Sequence, residues 1–462
     1  MATNVKKSTS TAIKWCIALI VPLVFFLIPI SDVYTPQIRM FLVLTLMAMI
    51  IVAFELLPYV VPGVLLPTAY LMTGLAPANV AFAGWGSTFP WMILGAFVLS
   101  AIMLRTGLLT RLAYWCILKL GGSFRNTCIA LLLIGPLVFL ATNANGYIII
   151  AIICIGIAKS FNIELKSKES VLLFLAGTLG SLSATCYMPN ATNLAMLISG
   201  GKTVVPDFTM SYGGYVLHNL PYVIFPFLFF FIMWKIIRPN VTTDGTAAIQ
   251  TLYKKMGPIT KEEKKTAVVL IILLVFLFTG GIHKMDVTLA FIFLPWVFWL
   301  PGMNIGTRDD IQSCDISALV FAVMCMSIGV VAQTLGVTKL FADMVMGVLG
   351  GKSPILFIFI VAVLGIILNL LLTPMAVVGA FSSVFAQLAT TLGVAILPTF
   401  YTLCMSMDQV IMPYEFVAYL IFFAYGFCKM GDFIKVFTLK TVLHLVFLMV
   451  VMVPYWSIIG IL

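Results

Sequence analysis

The sequence predicts an all-α integral membrane protein with about eleven transmembrane helices and two re-entrant hairpins, arranged as two inverted repeats. Three observations carry this expectation. Of 462 residues, 62% are hydrophobic and only 9% charged, with mean hydropathy +1.15, whereas a soluble domain carries about a quarter charged residues. The apolar residues fall in runs of about 20, each long enough to cross roughly 30 Å of hydrocarbon as a helix. The runs also lack the period-two alternation of a membrane β-barrel.

Residues 1–38 read as an anchoring first span: a basic start at Lys6, Lys7 and Lys14 precedes the apolar run from Trp15 to Ile30. The following Ser31-Asp32-Val33-Tyr34 offers no small-x-small cleavage site, so the run is not read as a removed signal. A first repeat occupies 39–238 and contains a broken run at 126–158. A polar stretch at 239–265, with Thr242, Thr243, Asp244 and then Lys261 to Lys265, reads as a cytoplasmic linker. The second repeat, 266–462, contains the other broken run at 355–397. Arg105-Thr106-Gly107-Leu108 followed by Gly121-Gly122 is echoed by Gln333-Thr334-Leu335-Gly336-Val337 followed by Gly350-Gly351, each glycine pair 229 positions apart. One unpaired span before the first repeat, and an odd number of crossings in each, turn the second copy upside down.

The formal charge of +10 reports topology rather than nucleic-acid binding. With the N-terminus in the cytoplasm, 21 of the 26 Lys and Arg fall inside, Lys440 among them, and only Arg39, Lys202, Lys284, Lys339 and Lys352 fall outside. The stretches 105–125 and 339–352 read as interfacial amphipathic arms with their basic residues on the wet face, and their glycine pairs as hinges. The nine cysteines form no C-x-x-C pair and read as buried small hydrophobes. No Walker A loop, metal-spaced His/Cys cluster or nucleophile elbow stands in the chain, which disfavours an ATP-driven pump and an enzyme. His218 and His444 read as helix-contact residues, and the 25 methionines and 36 phenylalanines as packing or lipid-facing ones.

The first broken run is interrupted by Thr142-Asn143-Ala144-Asn145-Gly146 and the second by Thr373-Pro374-Met375. A polar turn inside hydrocarbon is tolerated where it faces protein or a water-filled cavity. Its N–H groups suit an anion and its freed carbonyls a small cation. Two further spans are broken: one at Met188-Pro189-Asn190-Ala191-Thr192-Asn193, the other from Asp408 through Pro413 to Glu415. Proline removes a backbone donor there, and the amides and hydroxyls beside it supply others. These residues are the candidate substrate site: Thr142, Asn143, Ala144, Asn145, Asn190, Thr192, Asn193, Thr373, Pro374, Met375, Pro413 and Glu415. Thr142, Asn143, Asp408 and Glu415 are candidates for the coupling ion. A carboxylate deep in the bilayer costs several kcal/mol unless paired or protonated, which makes the two acids functional candidates. Two roles fit Glu415: a proton carrier in place of a second sodium site, or a counter-charge for an ammonium on the substrate.

Almost the whole chain resembles the divalent anion/sodium symporter family of dicarboxylate and citrate transporters. Phe54-Glu55-Leu56-Leu57-Pro58 resembles its T-E-x-x-P element, which makes Glu55 structural, and Leu94-Gly95-Ala96-Phe97 its L-G-G-F. Thr142-Asn143-Ala144 is similar to its Ser-Asn-Thr hairpin tip, and Lys429-Met430-Gly431-Asp432-Phe433 to its segment after the tenth span. The second tip departs from Ser-Asn-Thr, with Pro374 and Met375 in place of the amide and hydroxyl. The family's Thr-Pro-Pro-Asn survives as Asn193 on the fifth span and is absent on the tenth, where Glu415 falls. The resemblance implies a homodimeric, elevator-type secondary transporter in the cytoplasmic membrane, moving a small organic anion with sodium, protons or by exchange. Sulfonates and amine-bearing anions stand beside di- and tricarboxylates as substrates. The rivals are a channel or a non-transporting sensor of the same fold, separated from a carrier by saturable counterflow.

Overall fold

The computed structural model describes residues 2–54, 56–144, 146–241, 245–283, 285–286, 288–337, 340 and 353–462. Glu55, Asn145, Thr242 to Asp244, Lys284, Lys339, Gly350, Gly351 and Lys352 lie outside the described residues. Among the described residues the chain is helical and without strands. By length and composition, seven of these helical stretches are long and apolar enough to cross a membrane, and seven shorter ones are apolar.

The longer helices run in order. An N-terminal group comprises α1 (Ala2–Ile20), α2 (Pro36–Ala53) and α3 (Val60–Met72). Then come α4 (Phe89–Thr106), α5 (Leu108–Leu120), the hairpin α6 (Phe124–Ala141) and α7 (Tyr147–Ser160), α8 (Lys168–Ser181), α9 (Ala191–Lys202) and α10 (Ile224–Ile237). The expected linker is not wholly unstructured: it holds α11 (Thr246–Lys255), which buries Ile249 and packs on α5, and α12 (Lys261–Phe278) begins inside it. The second half continues with α13 (Arg308–Gln312), α14 (Ile316–Thr334), the hairpin α15 (Pro354–Leu371) and α16 (Pro374–Thr391), α17 (Ile396–Met407), α18 (Val417–Ala424) and α19 (Met430–Phe447). A long helix, a hairpin, an interrupted span and a closing helix thus follow one another in both halves.

The local chemistry explains the breaks. Helix α6 starts where Ser123 accepts from the Asn126 N–H, and it ends at a turn in which Asn143 and Ala144 take φ of 47° and 71°. Two successive left-handed non-glycine residues are costly and persist only where their surroundings hold them. Gly121, between α5 and α6, takes φ +88°, a conformation that glycine adopts without penalty. Helices α6 and α8 touch through Gly135 and Gly180, where an added Cβ on Gly135 would lie 2.2 Å from the backbone of Gly180. Small residues permit such backbone approach between membrane helices. It draws the first hairpin onto the interrupted span.

Two arginines of the first half tie it to the second half and to the linker. Arg105 forms a two-pronged pair with Asp310 at 2.8 and 3.0 Å and donates to the Ile305 carbonyl. Arg111, expected on the wet face of an amphipathic arm, is instead buried, because Glu263 at 2.8 Å and the carbonyls of Gly257 and Met256 satisfy its guanidinium. Both acids also close capping boxes, Glu263 with Thr260 and Asp310 with Thr307. Burial opposes ionisation of these carboxyls, but the guanidinium of Arg111 or Arg105 and the N–H of Thr260 or Thr307 prevail. Both stay below the usual carboxylate range. His218 and His444 are held between helices by the hydroxyls of Tyr401 and Tyr222, at 2.9 and 2.8 Å.

Candidate functional site

The two hairpin tips, some 230 residues apart in sequence, line one cavity of about 210 Å³. Asn143 and Ala144 come from the first tip, Thr373, Pro374 and Met375 from the second. The interrupted spans add Thr185, Asn190, Thr192 and Asn193 from the first half and Met407 and Asp408 from the second. Nine of the sequence candidates are therefore brought together. Thr142, Pro413 and Glu415 are not on this wall, although Thr142 adjoins Asn143 and Glu415 adjoins Phe416 in sequence.

Asn143 braces the first tip against the broken span. Its Oδ1 accepts from the Ala191 N–H at 2.8 Å and its Nδ2 donates to Thr192 Oγ1 at 3.1 Å. Thr142 turns away and donates to the Val138 carbonyl at 2.6 Å. Asn190 caps α9 by accepting from the Asn193 N–H at 2.6 Å, and Asn193 donates to Thr185 Oγ1 at 3.5 Å.

Five helices begin at the cavity. The first residues or caps of α7 (Tyr147), α9 (Asn190), α14 (Asp315), α16 (Thr373) and α18 (Phe416) all line it. Asn190, Asp315 and Thr373 cap their own helices, whereas α7 and α18 have no side-chain cap. The uncapped starts of α7 and α18 leave first-turn N–H groups free of side-chain partners, and all five starts turn the positive end of a helix dipole to the cavity, so an electron-rich ligand is favoured although no Lys or Arg lines the wall among the described residues.

The acids on the second broken span differ in what they touch. Asp408 lines the cavity and is paired with Lys440, whose Nζ lies 2.6 Å from both the Asp408 Oδ2 and its carbonyl oxygen. This corrects the assignment of Lys440 to the cytoplasmic surface: the ammonium is fully buried because a carboxylate and the free carbonyl at the end of α17 receive it. Glu415, 2% exposed, accepts from the N–H groups of Ile411 and Met412 at 3.0 and 2.6 Å and from Asn369 Nδ2 at 3.3 Å. It thereby closes the turn in which Pro413 starts a 3-10 segment.

The sequence reading missed the aromatic wall. Tyr59 and Phe321 pack at 5.3 Å, and Tyr147, Phe416 and Tyr419 form a chain of edge contacts at 6.4 and 6.2 Å. Phe97 and Phe139 complete it. In a chain with 13% aromatic residues no local pattern marks these rings out. Lys440 did carry a signal, an ammonium inside an apolar helix, which the rule applied to the acids would have flagged.

An all-helical body with interrupted spans around a cavity of helix starts defines a multi-span membrane protein with a ligand-sized pocket between its hairpin tips. The chain belongs to the family described as the sodium:sulfate symporter transmembrane region, which matches residues 9–462. A Bacillus subtilis (strain 168) protein that carries the provisional name of malate transporter YflS is 23% identical over 228 residues, 47% of this chain and 48% of its own length. An uncharacterized transporter of Haemophilus influenzae (strain ATCC 51907 / DSM 11121 / KW20 / Rd) is 26% identical over 324 residues, 64% of this chain and 65% of its own. The chain therefore aligns with about half and just under two thirds of these relatives. The fold is shared with the Alcanivorax borkumensis YdaH transporter, at TM-score 0.58 and 15% identity over 85% of this chain and 89% of that one. Neisseria gonorrhoeae MtrF, whose structure illuminates a class of antimetabolite efflux pumps, matches at TM-score 0.60 and 11% identity over 96% and 94%.

Proposed function

We propose that this chain is a secondary carrier of a small organic anion across the cytoplasmic membrane, with its N-terminus in the cytoplasm. The observation that carries the reading is the meeting of five helix starts and both hairpin tips around one cavity. Oriented N–H groups stabilise an anion without a fixed positive side chain, so the ligand is held strongly enough to enter and loosely enough to leave. The anion sits between Asn143, Asn190, Thr192 and Asn193 on one side and the start of α16 on the other. Hairpins and interrupted spans then move together against the remaining helices in an elevator-type step, in a homodimer, with Gly121 at one hinge.

Coupling to a cation belongs to the same reading, with the backbone carbonyls of Thr142 and Asn143 offering oxygen ligands at the first tip, since their side chains are engaged, and Glu415 or Asp408 at the second break. A second reading, exchange or single-ion coupling, is favoured by Lys440. Its ammonium already occupies the end of α17, where a freed carbonyl and a carboxylate would otherwise attract a small cation. Reconstitution into proteoliposomes tests the carrier. Labelled anion should enter against an unlabelled internal pool with saturable kinetics, and flux that never saturates, or no flux for any anion, would contradict it. Repeating the assay with and without sodium, and with an imposed pH gradient, separates the coupling modes.

A further inference from the structure

We infer that the ligand is an amphipathic monoanion, a single carboxylate or sulfonate joined to an apolar or aromatic body. The inference rests on the carrier reading above and narrows its substrate class. Side-chain donors are concentrated on one side of the cavity. Asn143, Thr185, Asn190, Thr192 and Asn193 all come from the first half, whereas the second tip offers the single hydroxyl of Thr373 beside Pro374, which has no N–H, and the apolar Met375. A second anionic group reaching toward that tip finds few donors.

Rings make up much of the rest of the wall, Tyr59, Phe97, Phe139, Tyr147, Phe321 and Phe416, with Leu182, Met407 and Val417 between them. Aromatic surfaces reward apolar bodies and stack with other rings edge-on or offset. Ligand pockets of this composition fix orientation with a few polar groups and gain affinity from apolar contact. The volume of about 210 Å³ exceeds the roughly 150 Å³ of an engineered apolar cavity that accepts benzene.

Charge points the same way. Asp408 is neutralised by Lys440 at 2.6 Å, and no lysine or arginine lines the cavity among the described residues. Asp315, at the start of α14, is exposed, has no ion-pair partner among the described residues and lines the wall beside Phe321 and Ala318. A dianion bound by one end would carry its second charge toward that carboxylate. Tyr419, 1% exposed, is among the lining residues, and its hydroxyl has no hydrogen-bond partner among the described residues. A buried hydroxyl without a partner is uncommon in a folded protein, and a head group that reached this side of the wall would supply one.

The test measures binding of phenylacetate, benzenesulfonate, succinate and citrate to the purified full chain by calorimetry, followed by proteoliposome counterflow of the same four anions. The aryl monoanions should bind at least about tenfold more tightly than succinate and exchange in counterflow. Phe321→Ala should narrow that ratio, and Met375→Asn should shift it toward succinate. Succinate or citrate bound and carried as well as the aryl anions would overturn the monoanion assignment and leave the carrier standing. Failure of all four anions to bind or to move would overturn the assignment together with the carrier reading.

Discussion

Replacing Lys440 with methionine removes the positive partner of an almost fully buried carboxylate. The Lys440 and Asp408 side chains are 0% and 2% exposed, and the ammonium makes two contacts at 2.6 Å, one to the carboxylate and one to the backbone carbonyl. Screening is negligible at this depth, so the variant leaves a charge and a carbonyl stranded together. Breaking a buried pair on one side costs about 3–5 kcal/mol, whereas replacing both partners by neutral groups of similar volume is often close to neutral. Lys440→Met should therefore lose about 3–5 kcal/mol, and Lys440→Met with Asp408→Asn should regain most of it. Denaturation of the purified protein in mixed micelles reads both variants, and the double-mutant cycle isolates the coupling. A single variant as stable as the parent, or a double variant no better than the single, would refute the assignment of Lys440 as the counter-ion of Asp408.

Three further outcomes follow from the same geometry. Asn143→Ala removes two hydrogen bonds that join the first tip to α9. It should cost about 1–3 kcal/mol of local stability and abolish anion counterflow while the protein remains folded by circular dichroism; normal counterflow would remove Asn143 from the site. Asp310 and Glu263 ionise below their usual values, so their contribution is complete above the unfolded carboxylate value near about pH 4 and is lost as pH falls through the lowered folded ones. Asp310→Asn should shallow the acid limb of the unfolding profile and lower stability at neutral pH by about 1–2 kcal/mol, the smaller end reflecting that Arg105 is a third exposed. Tyr419→Phe deletes a hydroxyl that has no hydrogen-bond partner among the described residues; without added anion the variant should unfold within about 0.5 kcal/mol of the parent, whereas anion affinity should drop severalfold. A large loss of apo stability with unchanged affinity would reverse that assignment.

Much of the fold could be read from apolar periodicity, and the hairpin tips could be read because polar residues inside hydrocarbon are rare enough to stand out. Thr142 to Ala144 and Thr373 to Met375 stood out in that way, and the structure places both turns at one cavity, with Thr142 itself facing back into α6. The interrupted spans were legible for the same reason, through Pro189 and Pro413. Pairing was not. Which buried cation meets which buried acid depends on packing between separate helices, 152 residues apart for Arg111 and Glu263 and 32 for Lys440 and Asp408, so Arg111 looked like an interfacial residue until Glu263 was placed beside it, and Lys440 looked cytoplasmic until α17 ended against it. Glu415 stood out as an acid inside an apolar span, but its environment, two backbone N–H groups and Asn369, comes from the tight turn after Asp408 that no local motif announces. The ring-lined wall was illegible because its members are drawn from both halves and resemble every other aromatic residue in the chain.

The central claim is that the two hairpin tips meet across a solvent-filled cavity, and pairwise labelling tests it most directly. Cysteines substituted for Ala144 and Met375 in a cysteine-free background should both react with a membrane-impermeant thiol reagent, be protected by the transported anion, and be joined by a short bifunctional maleimide. Two positions that resist aqueous reagents in every state and are never bridged would contradict the shared cavity, and with it the anion site built on it.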